Sequence, residues 1–258
     1  MRDRLLEFEL SLDHETSEEV VEYPWGRAFL SPALPLAWDT NWLLIERPGM
    51  EAAEVIDVAD EALAGFGHRA IAIREESEGA RLAPEIAALP GWESDTHLYM
   101  SWEHPQLLQA SDESAETGLA GCEGLRRELI RTEFPADMAH LDETTDQLLE
   151  MNRRFSAASG DRWFVAPPMH PESACCLLSR DGIGQVEDVG TLPAARGRGY
   201  AQAVIGAALG ASLEAGHETT FLVADAEDWP RLMYAKLGFE PCGFLHVLRR
   251  GPTEGISA

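Results

Sequence analysis

Lysine is almost missing from this chain. Lys236 stands alone against nineteen arginines, and the 20 basic residues face 45 Asp and Glu, a formal net charge of −25. With so little positive charge, nothing resembles the basic stripe that binds a phosphate backbone, and nucleic acid is excluded as a partner. The acidity has two explanations: an acidic funnel for a cationic amine, or adaptation to high salt, which the spread of acids along the whole chain favours. Long apolar runs are missing too. None approaches the ~20 residues of a membrane span, and the opening MRDRLLEFELSLDHE has no signal-peptide core. A cytoplasmic protein with no membrane partner is expected. The four cysteines, Cys122, Cys175, Cys176 and Cys242, form no C-x-x-C pair, so free, mostly buried thiols and no metal site are expected. Two common nucleotide motifs, G-x-G-x-x-G and G-x-x-x-x-G-K-[ST], are also absent.

What is present concentrates in 186–201, VEDVGTLPAARGRGYA. A strand around Val186 and Val189 is cut by Pro193, which has no N–H for a ladder. Arg196-Gly197-Arg198-Gly199-Tyr200-Ala201 then runs into a helix whose Ala201, Val204, Ile205, Ala208 and Leu209 share one face. A strand, a glycine turn and a helix N-terminus make an anion site, because the first helical N–H groups lack partners and the dipole is positive there. Gly197 and Gly199 remove the side chains that would keep a diphosphate from the backbone. Arg196 and Arg198 add charge suited to phosphate.

The same stretch resembles the acetyl-CoA-binding motif of the GNAT superfamily of N-acetyltransferases, [RQ]-x-x-G-x-[GA], with Arg196, Gly199 and Ala201 at the specified positions. Val189-Gly190-Thr191-Leu192-Pro193 is similar to the family's V-x-T-x-P run. Met233-Tyr234-Ala235-Lys236-Leu237-Gly238-Phe239 is similar to its L-Y-x-K-x-G-F, with Met233 in place of leucine. The resemblance covers about residues 120–250. It implies acetyl-CoA as co-substrate, bound by Val189, Thr191 and Arg196 through Ala201, and a small-molecule or peptide amine as acceptor.

At 258 residues the chain has room for two cores. In the first half, strands are expected over 19–23, 26–31, 42–46, 68–74 and 96–102. Helices are expected over about 52–66 and 79–89, and residues 1–16 are unassigned. This layout, ending in Gly91-Trp92 and a strand, repeats the order around Gly238-Phe239, but its turn, RPGMEA, has one glycine and no R-x-x-G-x-A. The expected fold class is α/β with a mixed sheet flanked by helices, built as tandem GNAT-like domains, 1–112 and 113–258, with one working site; an unrelated α/β first domain is the alternative. Residues 104–118 read as the linker, 126–131 as the first strand of the second half, and 135–158 as a helix. Strands at 162–166, 173–179, 183–191, 219–224 and 242–249 and helices at 199–215 and 229–237 follow, with a mobile tail from Gly251.

Acetyl transfer to an amine needs a base, donors for the thioester oxygen and an acid for the thiolate. Glu187 and Asp188 lie on the strand entering the loop and face opposite sides; Glu187 is preferred because it shares parity with carboxylates used on this strand in some relatives, with Asp188 or a water chain as alternatives. Backbone N–H groups near Val189 and Thr191, freed where the strand is interrupted, are the oxygen donors. Tyr234 sits where the family often carries the acid. Trp38, Trp42, Trp163 and Trp229 are candidates for an acceptor pocket or for core. The competing class is a non-catalytic acyl-CoA-binding sensor on the same site. A piece beginning near Gly118 is expected to keep the cofactor site.

Overall fold

The computed structural model describes residues 1–105 and 113–252. The first half runs α1 (Arg2–Thr16), β1 (Glu19–Tyr23), β2 (Gly26–Leu30), β3 (Trp42–Ile45), α2 (Ala52–Ala62), β4 (Arg69–Ile73), α3 (Glu76–Ala87) and β5 (Trp92–Trp102). The second runs β6 (Ala115–Thr117), α4 (Leu119–Thr132), α5 (Leu141–Ser159), β7 (Trp163–Ala166), β8 (Ser173–Arg180), β9 (Ile183–Thr191), α6 (Tyr200–Glu214), β10 (Thr219–Asp225), α7 (Pro230–Lys236) and β11 (Phe239–Arg250).

Four readings of the sequence change in the structure. Residues 1–16, unassigned from sequence, form α1; Leu5, Leu6, Phe8, Leu10 and Leu12 are buried, but acids set between them hide the period. Arg126–Arg131 is the middle of α4, not a strand: Cys122, Arg126, Leu129 and Ile130 are buried at helical spacing. The strand that opens the second half is β6, inside the stretch read as linker. The helix expected from Pro135 starts at Leu141, since residues 135–138 close a turn (Met138 N–H to the Pro135 carbonyl, 3.0 Å) and His140 has left-handed backbone, φ 60°. Part of the expected linker, 106–112, and most of the expected mobile tail, 253–258, lie outside the described residues.

All the described strands join one mixed sheet in the order β1-β2-β3-β4-β11-β5-β10-β9-β8-β7-β6. The last strand of each half is exchanged. β11 lies between β4 and β5, and β5 lies between β11 and β10. The chain therefore has the tandem arrangement, with the halves interlocked: a piece starting near Gly118 would lack the strand between β10 and β11. Each half otherwise repeats the other, with a parallel step at β3–β4 and at β9–β10 among antiparallel neighbours.

Side chains alternate across the sheet and sort the helices to its faces. Leucines of α1, α4 residues, Cys176, Tyr99 and Phe221 form one cluster, extended by Phe155 of α5; Cys175, Leu177, Leu222 and the apolar stripe of α6 form the opposite one. Adjacent Cys175 and Cys176 thus belong to different cores. A third cluster gathers Val55, Ala59, Leu82 and Ile86 on Ile71 and Ile73. The four cysteines are free, three of them buried. Among the described residues, no helix is long and apolar enough to cross a membrane.

Candidate active site

β9 and β10 pair only from Ile183 to Gln185, opposite Thr219 to Phe221, although β9 continues to Thr191 and β10 to Asp225. Beyond Gln185 the parallel strands diverge and the sheet opens. A bulge redirects β9 at that point: Ala174 faces Gly190 and Cys176 faces Glu187, so Asp188 and Val189 share one residue, Cys175, on β8, and Asp188 takes φ 56°. The Leu192 N–H goes to the Glu172 carbonyl beside β8 (2.8 Å). Strand alternation then turns the Thr191 and Val189 N–H groups to the opened side.

The loop that follows is exposed and glycine-shaped. Gly197 and Gly199 have φ 78° and 86°, and an added Cβ on either would meet no atom within 4 Å. Open space above left-handed backbone is what a diphosphate approaching the amides requires. The first turn of α6 carries no acid and no side-chain cap, and no described group accepts from the N–H groups of Gly197 through Ala201. Arg198 contacts Glu172 at 3.3 Å and Arg196 reaches the Thr191 carbonyl at 3.4 Å; both are exposed. Half-buried Tyr200 begins α6, and Ala201 follows in the same turn. These residues fit a CoA diphosphate.

On the other side of the opening lies a cavity of about 1210 Å³, walled by both halves: α1 and residues 35–42 from the first, α5, β9 and Tyr234 from the second. Glu187, Asp188, Val189 and Tyr234 all border it. The two adjacent acids differ. Asp188 is clamped, accepting from Arg126 on one oxygen and from Asn152 Nδ2 (2.7 Å) on the other, while Arg126 Nε also holds Asn152 Oδ1 (2.9 Å). Glu187 has one side-chain partner, the Gln185 amide at 2.9 Å. Burial, with Asp188 and Glu9 nearby, pushes its carboxyl well above the usual range. The Tyr234 hydroxyl is also pushed up, by burial and then by Glu187, and no described residue is hydrogen-bonded to it.

Sequence reading missed the groups behind Glu187. Gln185 Nε2 donates at once to Glu187 and to Glu9 Oε1 (2.8 Å), and Glu9 also accepts from the Tyr99 hydroxyl. Burial lifts Glu9 to about 7. One α1 turn onward, Asp13 also borders the cavity. The available signal was the recurrence of acids at positions 9 and 13 within a leucine-rich helix. Of the tryptophans weighed for the pocket, Trp38, Trp42 and Trp163 line it, and Trp229, 64% exposed, does not.

Residues 170–244 match the model of the FR47-like protein family. No curated protein matches the chain. Among solved structures, a functionally unknown conserved protein from Staphylococcus epidermidis ATCC 12228 superposes with TM-score 0.68 at 15% identity, covering 92% of this chain and 95% of that one. A GCN5-related N-acetyltransferase from Kribbella flavida gives TM-score 0.60 at 17% identity over 98% and 96% of the two chains. A tandem GNAT protein from the clavulanic acid biosynthesis pathway gives 0.57 at 11% over 90% and 79%. The opened parallel step, the glycine loop at the head of α6 and these likenesses give the chain the fold of tandem GNAT proteins, and its residues 170–244 resemble the FR47-like family.

Proposed function

We propose that the protein transfers an acetyl group from acetyl-CoA to a primary amine by direct attack in a ternary complex, using one site in residues 113–258, with residues 1–112 as a second, cofactor-free copy that walls the acceptor cavity. One observation carries this reading: the divergence of β9 and β10 sets Glu187 and Tyr234 on one cavity beside a loop of unpartnered amides.

The amides from Gly197 to Ala201 hold the diphosphate at the positive end of α6, with Arg196 and Arg198 at its rim. The Val189 and Thr191 N–H groups offer hydrogen bonds to the thioester oxygen as it gains charge. Glu187, whose proton affinity is raised by burial and then by the charges of Asp188 and Glu9, takes the proton that the ammonium must lose before attack. Asp188 is spent on Arg126 and Asn152 and keeps the bulge in place. The Tyr234 hydroxyl, protonated at neutral pH, gives its proton to the departing thiolate.

Calorimetry with acetyl-CoA, followed by an amine panel read by release of the CoA thiol at low and molar salt, tests the reading. Saturable binding with turnover supports it. Binding without turnover of any amine would favour a sensor, and no binding would remove the site assignment altogether.

A further inference from the structure

The carboxylate proposed as the base takes its direction from the other half of the chain. Gln185 stands two positions before Glu187 on β9, so both side chains leave the strand on the same face. Gln185 is 3% exposed, and its amide nitrogen has two hydrogens to give. One goes to Glu187 Oε2 at 2.9 Å and the other to Glu9 Oε1 at 2.8 Å. The second oxygen of Glu9 accepts from the hydroxyl of Tyr99, itself 1% exposed. Glu9 belongs to α1 and Tyr99 to β5, so this line of hydrogen bonds starts in the first half and ends on the opened strand of the second.

Among the described residues, Gln185 is the one side chain that donates to Glu187. Asp188, the next residue, is the contrast: Arg126 holds one of its oxygens and Asn152 the other. A carboxylate with a side-chain donor on both oxygens is oriented but spent. Glu187 has Oε2 on Gln185, and its Oε1 has no side-chain donor on the cavity that it borders. One donor fixes the direction of a long, flexible side chain and leaves an oxygen for a proton. The donor itself would be free to swing if Glu9 and Tyr99 did not hold its second hydrogen.

We infer that Gln185 is a positioning residue for Glu187, anchored by Glu9 and Tyr99 of the first half. The inference rests on the acetyl-transfer reading. The substrate ammonium gives its proton to Oε1 of Glu187 while the Gln185 N–H stays on Oε2, and no proton passes through the amide. The first half then has a task besides walling the cavity. Other titratable and charged groups face the two carboxylates. Asp188, Arg126 of α4 and Tyr234 of α7 are near Glu187, Cys176 of β8 pairs opposite it, and Asp13 is one helical turn from Glu9. Asp95, His97, Asp225 and Arg249 border, with Glu9 and Glu187, a second cavity of about 350 Å³. Arg249 is held by Asp95 at 2.5 Å, and burial and then Arg249 lower the basicity of His97. None of these side chains is hydrogen-bonded to Glu187 or Glu9, which leaves orientation to Gln185 and Tyr99.

The test follows the Glu187 carboxyl by carbon-13 NMR across pH on the full chain, assigned with Glu187→Gln, beside the pH profile of kcat/KM from CoA thiol release. Gln185→Met keeps the length of the side chain and removes its N–H groups. Glu187 should then titrate about one pH unit higher, because its ionised form loses a charge-assisted hydrogen bond. The acidic limb of kcat/KM should move with it, and kcat should fall about 10–100-fold for a misdirected base. Acetyl-CoA affinity is the check on folding. Two variants at Glu9 isolate the anchor. Both Glu9→Gln and Glu9→Leu remove the charge, so both should move the titration to lower pH. Only Glu9→Gln keeps an oxygen for Gln185, and Glu9→Leu should have a kcat about 10-fold below it. This pair carries the test if Gln185→Met does not fold. A Glu187 titration unchanged in Gln185→Met, or equal kcat in the two Glu9 variants, overturns the inference and leaves acetyl transfer standing. Shifted titrations in a protein that turns over no amine would keep the hydrogen bonds but remove the base, overturning acetyl transfer and the positioning role together.

Discussion

The two parallel steps of the sheet share a layout and end differently. β3 has four residues and stays paired to its last one: Ile45 faces Ile73, and the Arg74 N–H reaches the Ile45 carbonyl at 2.9 Å. The next residues, Glu46 and Arg47, stay on the Trp25 carbonyl (2.8 and 3.1 Å), and Met50, 1% exposed, belongs to the core where the other half is open. β9 has nine residues, of which three are paired with β10. The loops diverge the same way. In the first half the Gly49 N–H is already given to Glu78 (2.9 Å), and Glu51 and Glu54 stand at the start of α2. Anion binding is thus opposed in one half by built-in carboxylates and left open in the other. Strand length and the placement of a few acids are what separate the two halves at this step, and on the proposed reading only the second holds a cofactor.

The largest effect should come from the carboxylate just past each paired segment. Asp188 pairs with Arg126, whose side chain is 6% exposed, whereas Glu46, 30% exposed, holds Arg27 at 2.8 Å and Arg74 at 3.2 Å. Removing one partner of a buried pair strands the other, at about 3–5 kcal/mol; an exposed pair is worth up to about 1 kcal/mol. Asp188→Asn should therefore lower unfolding free energy in urea by several times as much as Glu46→Gln. Equal losses would mean that the bulge is not held by this clamp.

Next come the loops. Gly199 and Gly49 both have positive φ, 86° and 74°, and open space around them, so valine imposes similar strain at each. Gly199→Val should weaken acetyl-CoA binding by about 100-fold or more, the loss of two or more charge-assisted hydrogen bonds, and Gly49→Val should leave it unchanged. Similar affinities in the two folded variants, measured by calorimetry, would remove the diphosphate from the α6 loop.

A smaller change is expected at Tyr234. Four residues before the glycine-aromatic pair, the second half carries Tyr234 and the first carries Ala87. Tyr234→Phe keeps the ring, which packs edge-on to Phe239 with centroids 6.2 Å apart. It should lower kcat and kcat/KM together by about 10²-fold, near the low end for general acids, while acetyl-CoA affinity and thermal stability hold. Undiminished turnover would make the hydroxyl structural.

The placement of those parts of the candidate site that are local in sequence was legible. The 186–201 stretch and the 233–239 block carry their chemistry in backbone geometry and helix position, which spacing reveals. The strand exchange was not legible, since nothing in 92–102 or 239–250 says that each will cross to the other half. The acceptor wall was hidden for a related reason. Glu9 and Asp13 read as ordinary surface acids in a chain with 45 of them, and only the packing of α1 over β5 and β9 turns them inward. Arg126 misled more actively: its buried charge broke an apolar period and made a helix look like a strand edge.

The smallest expected effect concerns the sign of a pH dependence. Glu9 binds its proton more tightly in the folded protein, at about 7 against an ordinary 4.5, because burial opposes the charge. Between those values the folded state holds more protons than the unfolded one, so stability falls as pH rises. Below about 4.5 the penalty is absent; above about 7 it is complete. Glu9→Gln keeps one acceptor oxygen for Gln185, and the Tyr99 hydroxyl can turn to accept from the new amide N–H; the change should raise unfolding free energy at pH 8 by about 1–3 kcal/mol, with no gain at pH 4.5. It should also move the acidic limb of the rate profile to lower pH, because Glu9 is one of the charges that hold Glu187 up. In the first half Glu78 has the opposite bias: Arg81 and the Gly49 N–H hold its carboxyl below the usual range. What Glu78 contributes is present at neutral pH and is lost as pH falls through its lowered value, so Glu78→Gln should be destabilising, if at all, only where Glu9→Gln helps. Thermal melts of both variants across pH 4–8 would show slopes of opposite sign, and slopes of the same sign would mean that the cavity is open enough to water for Glu9 to ionise freely.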